Sequence, residues 1–247
     1  MMDEARTTFA RYLVQRREMG ESTLFLETLT RDDVLGLAAG TRSIQRPSAA
    51  VADNAPDRLR ELNVLRGEAM GCTKCRLHER RSTVVFSRGS ETAEVVVVGE
   101  APGQEEDRTG FPFVGPAGRL LDKLLLSAGF PRESVYVCNV LKCRPPSNRN
   151  PQRDEIDACS SYLRRQIELV APRVLLAVGK FAAQTLLATD TSIGKLRGQI
   201  HDYGGIPVIT TFHPAFLLRS PRYTRAAWQD FQLMRRVLDG GNTAAAH

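Results

Sequence analysis

From about residue 57 onward, two hydrophobic patterns alternate along the chain. Short apolar runs rich in β-branched residues predict four strands: EVVVV at 94–98, VYVCNV at 135–140, VLLAVG at 174–179 and IPVITTF at 206–212. Longer segments with apolar residues at helical spacing predict helices at 116–128, 151–170, 180–188 and 223–238. Because the strands are apolar throughout, we expect an α/β fold with a four-stranded parallel sheet flanked by helices on both faces.

The N-terminal part of the chain has a different character. Phe9, Tyr12 and Leu13 recur at helical spacing, and TRDD at 30–33 resembles a helix cap. The small, polar and proline-containing segment at 41–56 predicts a linker. We therefore expect an N-terminal helical extension and linker at 1–56 and a functional domain at 57–240. For the extension, a stabilising cap is a simpler role than binding of a protein partner.

Composition and charge narrow the class of protein. With 42% hydrophobic and 25% charged residues, the chain is typical of a soluble globular protein, and no apolar run approaches the ~18 residues of a membrane span. The N-terminus lacks the features of a secretory signal, which predicts a cytoplasmic protein. A net charge of +6 and a pI near 9.3 fit an anionic partner such as nucleic acid, but a mildly basic enzyme explains them equally well.

Ligands of parallel α/β sheets bind at the carboxyl ends of the strands, so the residues after each strand are the candidates for a site. The first predicted strand is followed by a long Gly- and Pro-rich loop, GEAPGQEEDRTGFPFVGPAG. It carries four carboxylates and two phenylalanines: Glu100, Glu105, Glu106, Asp107, Phe111 and Phe113. A phosphate-binding loop would favour lysine over acids, whereas an acid can position water beside an aromatic ring that stacks on a planar base. The alternative is a solvated acidic loop over a core phenylalanine.

Polar residues also end or follow two other predicted strands. The amide of Asn139 offers one acceptor and two donors, which match the edge of an amide-like ring such as uracil, although a buried structural asparagine is the simpler interpretation for this residue alone. His213 follows the fourth strand on the same rim, and this convergence favours a functional site. Next, Leu217, Leu218 and Arg219 place an apolar tip beside a cation, which fits either insertion into a duplex or an ordinary helix start.

Four of the five cysteines have the character of metal ligands. CTKC at 72–75 is a chelating pair, Cys143 lies in an Arg–Pro loop, and Cys159 lies in the following predicted helix. Four thiolates complete either a Cys₄ zinc site or a [4Fe–4S] cluster, and their spacing does not decide between the two. Alternation along the strand places Cys138 opposite Asn139, so we expect Cys138 to be a small buried hydrophobe; a ligand role in place of Cys143 is the alternative.

These motifs occur together and in order, and through them the chain resembles the family-four uracil-DNA glycosylases, the iron–sulfur type. The resemblance rests on CTKC, GEAPGQEED, GFPFVGPAG, NVLKCRPPSNRNP, the cysteine at 159 and HPAFLLRSP. It implies DNA base-excision repair by hydrolysis of the N-glycosidic bond of uracil, which leaves an abasic site. It also implies a [4Fe–4S] cluster with a structural role, held by Cys72, Cys75, Cys143 and Cys159.

The resemblance assigns catalysis to three side chains: Glu100, Glu106 and His213. Glu106 would act near the attacking water. His213 would face the uracil oxygen that gains negative charge as the bond breaks. A carboxylate near the sugar would stabilise the cation-like sugar, as in other glycoside hydrolysis.

Substrate binding is assigned to the same rim. Glu100 and Ala101 would line the base pocket, Phe113 would stack on the uracil ring, Asn139 would read its amide edge, and His213 would bind its carbonyl. The C5-methyl of thymine would meet the Glu100–Ala101 turn and Phe113, which predicts that thymine is rejected by steric clash.

DNA contacts are expected on both sides of this pocket. Arg144, Arg149 and Arg153 would face phosphates, and the segment Leu217–Arg219 would enter the duplex. The expected partner is uracil-containing DNA, single- or double-stranded, bound by a monomer with no membrane association. Cys143, as a metal ligand, would fix the loop that carries Arg144 and Arg149. Loss of the metal should therefore weaken DNA binding before it alters which base is selected.

Two features depart from the family pattern or go beyond it: the first roughly 60 residues lie outside its core, and Cys138 stands where a threonine or similar residue is expected. A related branch traps its product covalently through a histidine in the loop after the second strand. SNRNP in this chain contains no such histidine, so ordinary turnover is expected. Two rival functions stand beside this prediction. One rival is a non-catalytic Cys₄-metal module that binds nucleic acid, in which Asn139 and His213 are merely structural. The other is a nucleotide enzyme on a Rossmann-like sheet, which the acidic loop and the missing lysine weaken.

Overall fold

The computed structural model describes residues 55–240, so the predicted N-terminal extension lies outside the described residues, apart from the last two positions of the predicted linker. The helices and strands follow in the order α1 (Ala55–Met70), β1 (Arg88–Gly89), β2 (Val95–Gly99), α2 (Gln104–Thr109), α3 (Pro116–Ser127), β3 (Tyr136–Asn139), α4 (Arg153–Val170), β4 (Val174–Val178), α5 (Lys180–Leu187), α6 (Ile193–Leu196), β5 (Ile200–Tyr203), β6 (Ile206–Thr211), α7 (Pro214–Arg219) and α8 (Thr224–Leu238). Within this part of the chain, none of the helices combines the length and hydrophobicity that crossing a membrane requires.

The sheet has six strands in the order β1-β3-β2-β4-β6-β5. The four predicted strands form its centre and run parallel, which confirms the predicted α/β architecture. The two edge strands, β1 and β5, are antiparallel to their neighbours and were not predicted. β1 has only two residues, and β5 (IHDY) has no buried residue, so neither contains the apolar run that marks a central strand.

Apolar side chains on both faces of the sheet explain why helices cover both. Val96 and Val98 of β2 belong to one hydrophobic cluster, whereas Val95 and Val97 belong to the other. This alternation is the two-residue period of a strand buried on both sides. The first cluster includes Leu62 of α1 and residues of α4 and α5, and the second includes residues of α3 and α8.

The first helix was missed by the sequence prediction. Of its sixteen residues, only Leu62 and Ala69 are buried, so its apolar face is too narrow to stand out in the sequence. By contrast, α3 begins with Pro116 at its first turn, and Glu155 closes a capping box at the start of α4. Both signals fix a helix start within a residue or two of its prediction.

The register of the central strands brings the predicted site residues to one edge. Gly99, the last residue of β2, pairs directly with Asn139, the last residue of β3. Val178 of β4 pairs with Thr211 of β6, two residues before His213. Because all four strands are parallel, the segments that follow them share the carboxyl edge of the sheet.

Candidate active site and metal centre

The loop between β2 and α3 is organised around the carboxylate of Glu106. Its Oε1 accepts hydrogen bonds from the backbone N–H groups of Val114 and Gly115, both at 2.9 Å, and its Oε2 accepts one from Gly103 at 3.1 Å. The same carboxylate closes a capping box on α2. Glu106 therefore holds the two ends of the loop together, with both of its oxygens engaged by backbone.

The other three acids of this loop have separate environments. Glu105 is exposed and pairs with Arg108 at 3.0 Å. Asp107 is buried, and both of its oxygens accept hydrogen bonds from the backbone N–H of Ser82, at 3.0 and 3.1 Å. The Glu100 carboxylate has no hydrogen bond or ion pair with residues 55–240, and burial raises its pKa. Glu100 is thus the acid of this loop that is available to a ligand or a water molecule.

The ring of Phe113 is held by a constrained backbone. Phe113 has a φ of 55°, a left-handed conformation that is uncommon for a residue with a bulky side chain. The preceding carbonyl, of Pro112, accepts a hydrogen bond of 2.9 Å from buried Arg88. The backbone of Phe113 also packs on Gly118, where a Cβ would lie 1.9 Å from the Phe113 carbonyl oxygen. Such strain is typical of positions whose geometry matters for function.

Asn139 presents an unsatisfied acceptor at the end of β3. The residue is 1% exposed, and within the described part of the chain its Oδ1 has no hydrogen-bond partner. A buried acceptor without a donor costs about 1–3 kcal/mol, so such an atom marks a place where a ligand donor is expected. At Gly99 beside it, a Cβ would lie 2.3 Å from this Oδ1 and 2.5 Å from Cζ of Phe113. The missing side chain therefore lets the amide and the ring both approach the end of β2 closely.

His213 lies beside the same phenylalanine ring. Its ring stacks against Phe113 with centroids 5.8 Å apart. Burial, assisted by nearby Arg219, lowers the pKa of His213 to about 4, so the imidazole is neutral near pH 7. Its Nδ1 accepts a hydrogen bond from the backbone N–H of Ala215 at 3.1 Å. The proton of the neutral ring therefore resides on Nε2, which becomes a hydrogen-bond donor.

The segment after His213 divides differently from the sequence prediction. Leu217 is 1% exposed and lies in the hydrophobic core, so it does not form part of an exposed apolar tip. Leu218 is 49% exposed, and Arg219 beside it is exposed as well. α7 buries Leu217 and exposes Leu218, a distinction that sequence spacing alone did not reveal.

The arginines of the loop after β3 also differ from one another. Arg149 donates to buried Glu155 with two nitrogens, one at 2.9 Å, and so fastens the loop to α4. Arg153 pairs with Asp157 at 3.2 Å on an exposed helix surface. Arg144 donates through Nε to Oδ1 of Asn148 at 2.8 Å, and no acidic partner holds it within the described residues. Arg144 is therefore the loop arginine best placed to meet a phosphate.

Four cysteines line one pocket between α1, α4 and the loop after β3: Cys72, Cys75, Cys143 and Cys159. All are free thiols. The Cys143 sulfur accepts a hydrogen bond of 3.3 Å from Arg81, and the Cys159 sulfur accepts one of 3.4 Å from the backbone N–H of Lys142. Within residues 55–240, no three potential ligands are already placed to hold a metal ion. Four thiols around one pocket nevertheless form a donor set that suits a soft metal centre.

The fifth cysteine lies apart from this pocket. Cys138 is fully buried in the core cluster that includes Val96 and Val98, and burial raises the pKa of its thiol. Its neighbour Asn139 faces the opposite side of the sheet, beside Gly99 and Phe113. The environment of Cys138 is that of a small apolar residue.

Sequence reasoning missed several residues that shape these two sites. Gly99 was named as part of a Gly-rich loop, but only the tertiary structure reveals that its missing side chain lets the Asn139 amide and the Phe113 ring pack against it. Lys142 is 2% exposed within a short apolar segment, and no pattern in the sequence singles it out. Arg81 precedes the first strand and reaches the cysteine pocket only through the tertiary fold.

Comparisons with known proteins agree with this geometry. Residues 86–232 match the model of the uracil DNA glycosylase superfamily. A type-4 uracil-DNA glycosylase of Archaeoglobus fulgidus is 43% identical over 173 residues, which span 67% of this chain and 87% of the relative. The corresponding protein of Thermotoga maritima is 50% identical over 151 residues, 60% of this chain and 79% of the relative, and that of Saccharolobus solfataricus is 40% identical over 186 residues, 72% and 86%. The chain therefore belongs to the uracil DNA glycosylase superfamily, in its type-4 family.

Proposed function

We propose that this protein excises uracil from DNA by hydrolysing the bond between the base and C1′ of the sugar. The observation that carries the proposal is the unsatisfied Oδ1 of Asn139, which lies beside Gly99 and the ring of Phe113. Uracil presents an N–H donor and a carbonyl acceptor along one edge, and the Asn139 amide can pair with both. Stacking on the Phe113 ring supplies affinity without discriminating among planar bases.

Rejection of thymine follows from the close packing at this site. Thymine differs from uracil by a methyl group at C5. We infer that this methyl would meet the Glu100–Ala101 turn and the constrained ring of Phe113. A substitution that removes bulk from the turn without admitting any thymine would contradict this part of the proposal.

His213 stabilises the leaving uracil. Bond cleavage places negative charge on the base, and a preorganised donor at the developing oxyanion is worth about 3 kcal/mol in other enzymes. Neutral His213 carries its proton on Nε2 because Nδ1 is occupied by Ala215. A neutral donor also avoids the cost of burying an imidazolium before the base anion forms.

Glu100 is the acid that we assign to the attacking water. Its carboxylate is half-buried and makes no hydrogen bond within residues 55–240, whereas both oxygens of Glu106 are engaged by backbone N–H groups. A carboxylate in this position orients water and stabilises the cation-like sugar. Glu106, expected from the sequence to act near the water, would then serve as a positioning residue that holds Phe113 through the adjacent Val114 and Gly115.

DNA is held around this pocket by an apolar tip and nearby cations. Leu218 is exposed and can fill the gap that an extruded base leaves in the stack. Arg219 and Arg144 can contact phosphates on either side. Arg149 supports the phosphate contact of Arg144 indirectly, because the pairing of Arg149 with Glu155 fixes the loop that carries Arg144.

We further infer that the four-cysteine pocket holds a [4Fe–4S] cluster, with Cys72, Cys75, Cys143 and Cys159 as ligands. When bound, the cluster supplies no chemistry to the excision itself; it ties α1 and α4 to the loop after β3. Ligation requires thiolates, and a reducing compartment such as the cytoplasm preserves the free cysteines. The site is complete within one chain, so we expect a monomer.

An excision assay tests the proposed function. The purified protein is incubated with an end-labelled oligonucleotide that contains one uracil and is then treated with alkali to cleave abasic sites. We expect cleavage at uracil, none at thymine, and a loss of about 100-fold or more in kcat for both Glu100→Gln and His213→Ala. DNA binding without cleavage would instead favour a non-catalytic metal module that binds nucleic acid.

A further inference from the structure

Lys142 is a buried cation with an unusual set of contacts. It directly precedes Cys143, and its side chain is among the largest that the protein buries completely, with 2% exposure. Its Nζ donates a hydrogen bond of 2.5 Å to the backbone oxygen of Asn139. A lysine amine has three donors and no acceptor, and it is almost never buried without a negative partner. No carboxylate pairs with Lys142 in the described part of the chain.

Arg81 is a second cation at the same pocket. Its Nη1 donates to the Cys143 sulfur at 3.3 Å and to the backbone oxygen of Cys72 at 2.7 Å, and its Nη2 donates to the backbone oxygen of Met70 at 3.3 Å. These partners are carbonyls and a sulfur, and none within residues 55–240 is a carboxylate. Lys142 and Arg81 both line the pocket of the four cysteines.

Two acids near the pocket already have cationic partners. Glu155 pairs with Arg149 through two hydrogen bonds and with Arg76 at 3.6 Å. Asp154 also pairs with Arg76, at 3.5 Å. These two acids are therefore engaged elsewhere, and within residues 55–240 neither Lys142 nor Arg81 forms an ion pair with a carboxylate.

We propose that Lys142 and Arg81 are the counter-ions of the metal cluster, an inference that rests on the proposed [4Fe–4S] cofactor. Four thiolates around an oxidised cluster core leave about two negative charges on the assembled group. Two cations that have no carboxylate partner within the described residues line the same pocket and would bring its charge close to neutral. The negative charge of the cluster would explain why Lys142 is buried without a carboxylate partner among the described residues.

Lys142 also links this pocket to the base site. Its hydrogen bond to the Asn139 carbonyl holds the end of β3 in place. The side chain of Asn139 is the one that we propose reads the base. We assign Lys142 two separable roles: its charge stabilises the cluster, and its hydrogen bond positions Asn139. It is a positioning residue, because it does not itself reach the base pocket.

Three variants separate these roles. Lys142→Gln removes the charge but retains a donor for the Asn139 carbonyl, and Lys142→Met removes both. Lys74→Met is the matched control, because Lys74 lines the same pocket but is exposed, where water screens its charge. In each protein, voltammetry measures the reduction potential of the cluster, and the decay of visible absorbance in a chelator measures cluster loss.

We expect both Lys142 variants to have a more negative reduction potential, because removing a cation disfavours the more negative reduced cluster. Cluster loss should become about 10-fold faster in both, a typical effect of altering a buried side chain that supports a metal site. Lys74→Met should change neither quantity. The KM for uracil-containing DNA should rise in Lys142→Met and stay close to wild type in Lys142→Gln.

Three results would overturn the inference. One is a cluster potential and loss rate in Lys142→Gln that equal those of the Lys74→Met control. If both Lys142 variants fail to fold, Arg81→Gln is measured in the same way, and an unchanged potential there would likewise refute the assignment. A wild-type protein without iron would refute the cofactor and the counter-ion roles together, while uracil excision by that protein would leave the proposed activity intact.

Discussion

Single residues define the base pocket as much by missing atoms as by functional groups. Gly99 ends β2 beside Asn139, and any side chain there would collide with the amide and the Phe113 ring. The φ of Gly99 is not in the left-handed region, so its role is spatial and not conformational.

Gly99→Ala is therefore expected to block the pocket. The added Cβ would lie 2.3 Å from Asn139 Oδ1, and a displacement of about 1 Å in such a site typically costs about 100-fold in rate. We expect kcat/KM for uracil excision to fall by about that factor, measured with a uracil oligonucleotide. Gly194→Ala is the control, because a Cβ at Gly194 meets no atom within 4 Å. Equal activity of the two variants would contradict the assigned pocket.

The neutrality of His213 has a consequence for stability. Its pKa is about 4 in the folded protein and near the ordinary value of 6.5 in an unfolded chain. Between these values the unfolded chain binds the proton and the folded protein does not, so the free energy of unfolding should fall as the pH drops from 6.5 towards 4. Urea unfolding of the wild type and of His213→Asn across this range measures the effect. The decline should be shallower in His213→Asn, and parallel curves would contradict the lowered pKa.

At the scale of elements, the loop between β2 and α3 acts as a unit because Glu106 joins its ends. Three backbone N–H groups converge on this one carboxylate, and the strained backbone of Phe113 precedes two of the donors directly. Hydrogen bonds to a charged acceptor are stronger than neutral ones, which lets the loop hold Phe113 in a left-handed conformation.

Glu106→Gln should loosen this loop. The amide offers one acceptor oxygen, and its NH₂ group would face a backbone donor that Glu106 now satisfies. We expect the free energy of unfolding to fall by about 2 kcal/mol, together with a lower kcat/KM, measured by urea unfolding and the excision assay. Glu105→Gln removes only an exposed ion pair with Arg108 and should change stability by less than about 1 kcal/mol. Equal stability in both variants would exclude the organising role.

At the scale of the whole molecule, different parts of the fold support the proposed DNA binding and base selection. The base pocket is built on the ends of paired sheet strands, from Gly99, Asn139 and the Phe113 loop. Arg144, which we propose contacts a phosphate, lies instead in a loop that begins at Cys143, outside any strand or long helix. The proposed cluster therefore supports DNA binding more directly than it supports the base pocket.

Removing the cluster should weaken DNA binding before it alters base choice. After chelation, we expect lower affinity and a shallower dependence of binding on salt, since the slope falls by about 1 for each phosphate that the protein no longer neutralises. Fluorescence anisotropy at several salt concentrations measures the slope, and the excision assay measures the preference for uracil over thymine. Loss of that preference with an unchanged salt slope would contradict this division.

The sequence by itself determined the central architecture and supplied most of the residues of the proposed site. Four uninterrupted apolar strands, each followed by polar residues, require a sheet buried on both faces with its site at one edge, because a strand apolar on both sides cannot face water. Motifs in the loops then named Glu100, Phe113, Asn139 and His213 as residues that meet at that edge. Each of these patterns spans only a few consecutive residues, so it can be identified in the sequence without knowledge of the tertiary fold.

Tertiary structure alone decided which of several similar side chains is available. Two adjacent leucines of α7 differ because only one faces the core, and two adjacent glutamates, Glu105 and Glu106, differ because only one meets backbone donors. Lys142 and Arg81 reach the cysteine pocket from separate segments. Burial and hydrogen bonding depend on residues distant in sequence, so these differences arise only when the chain is folded.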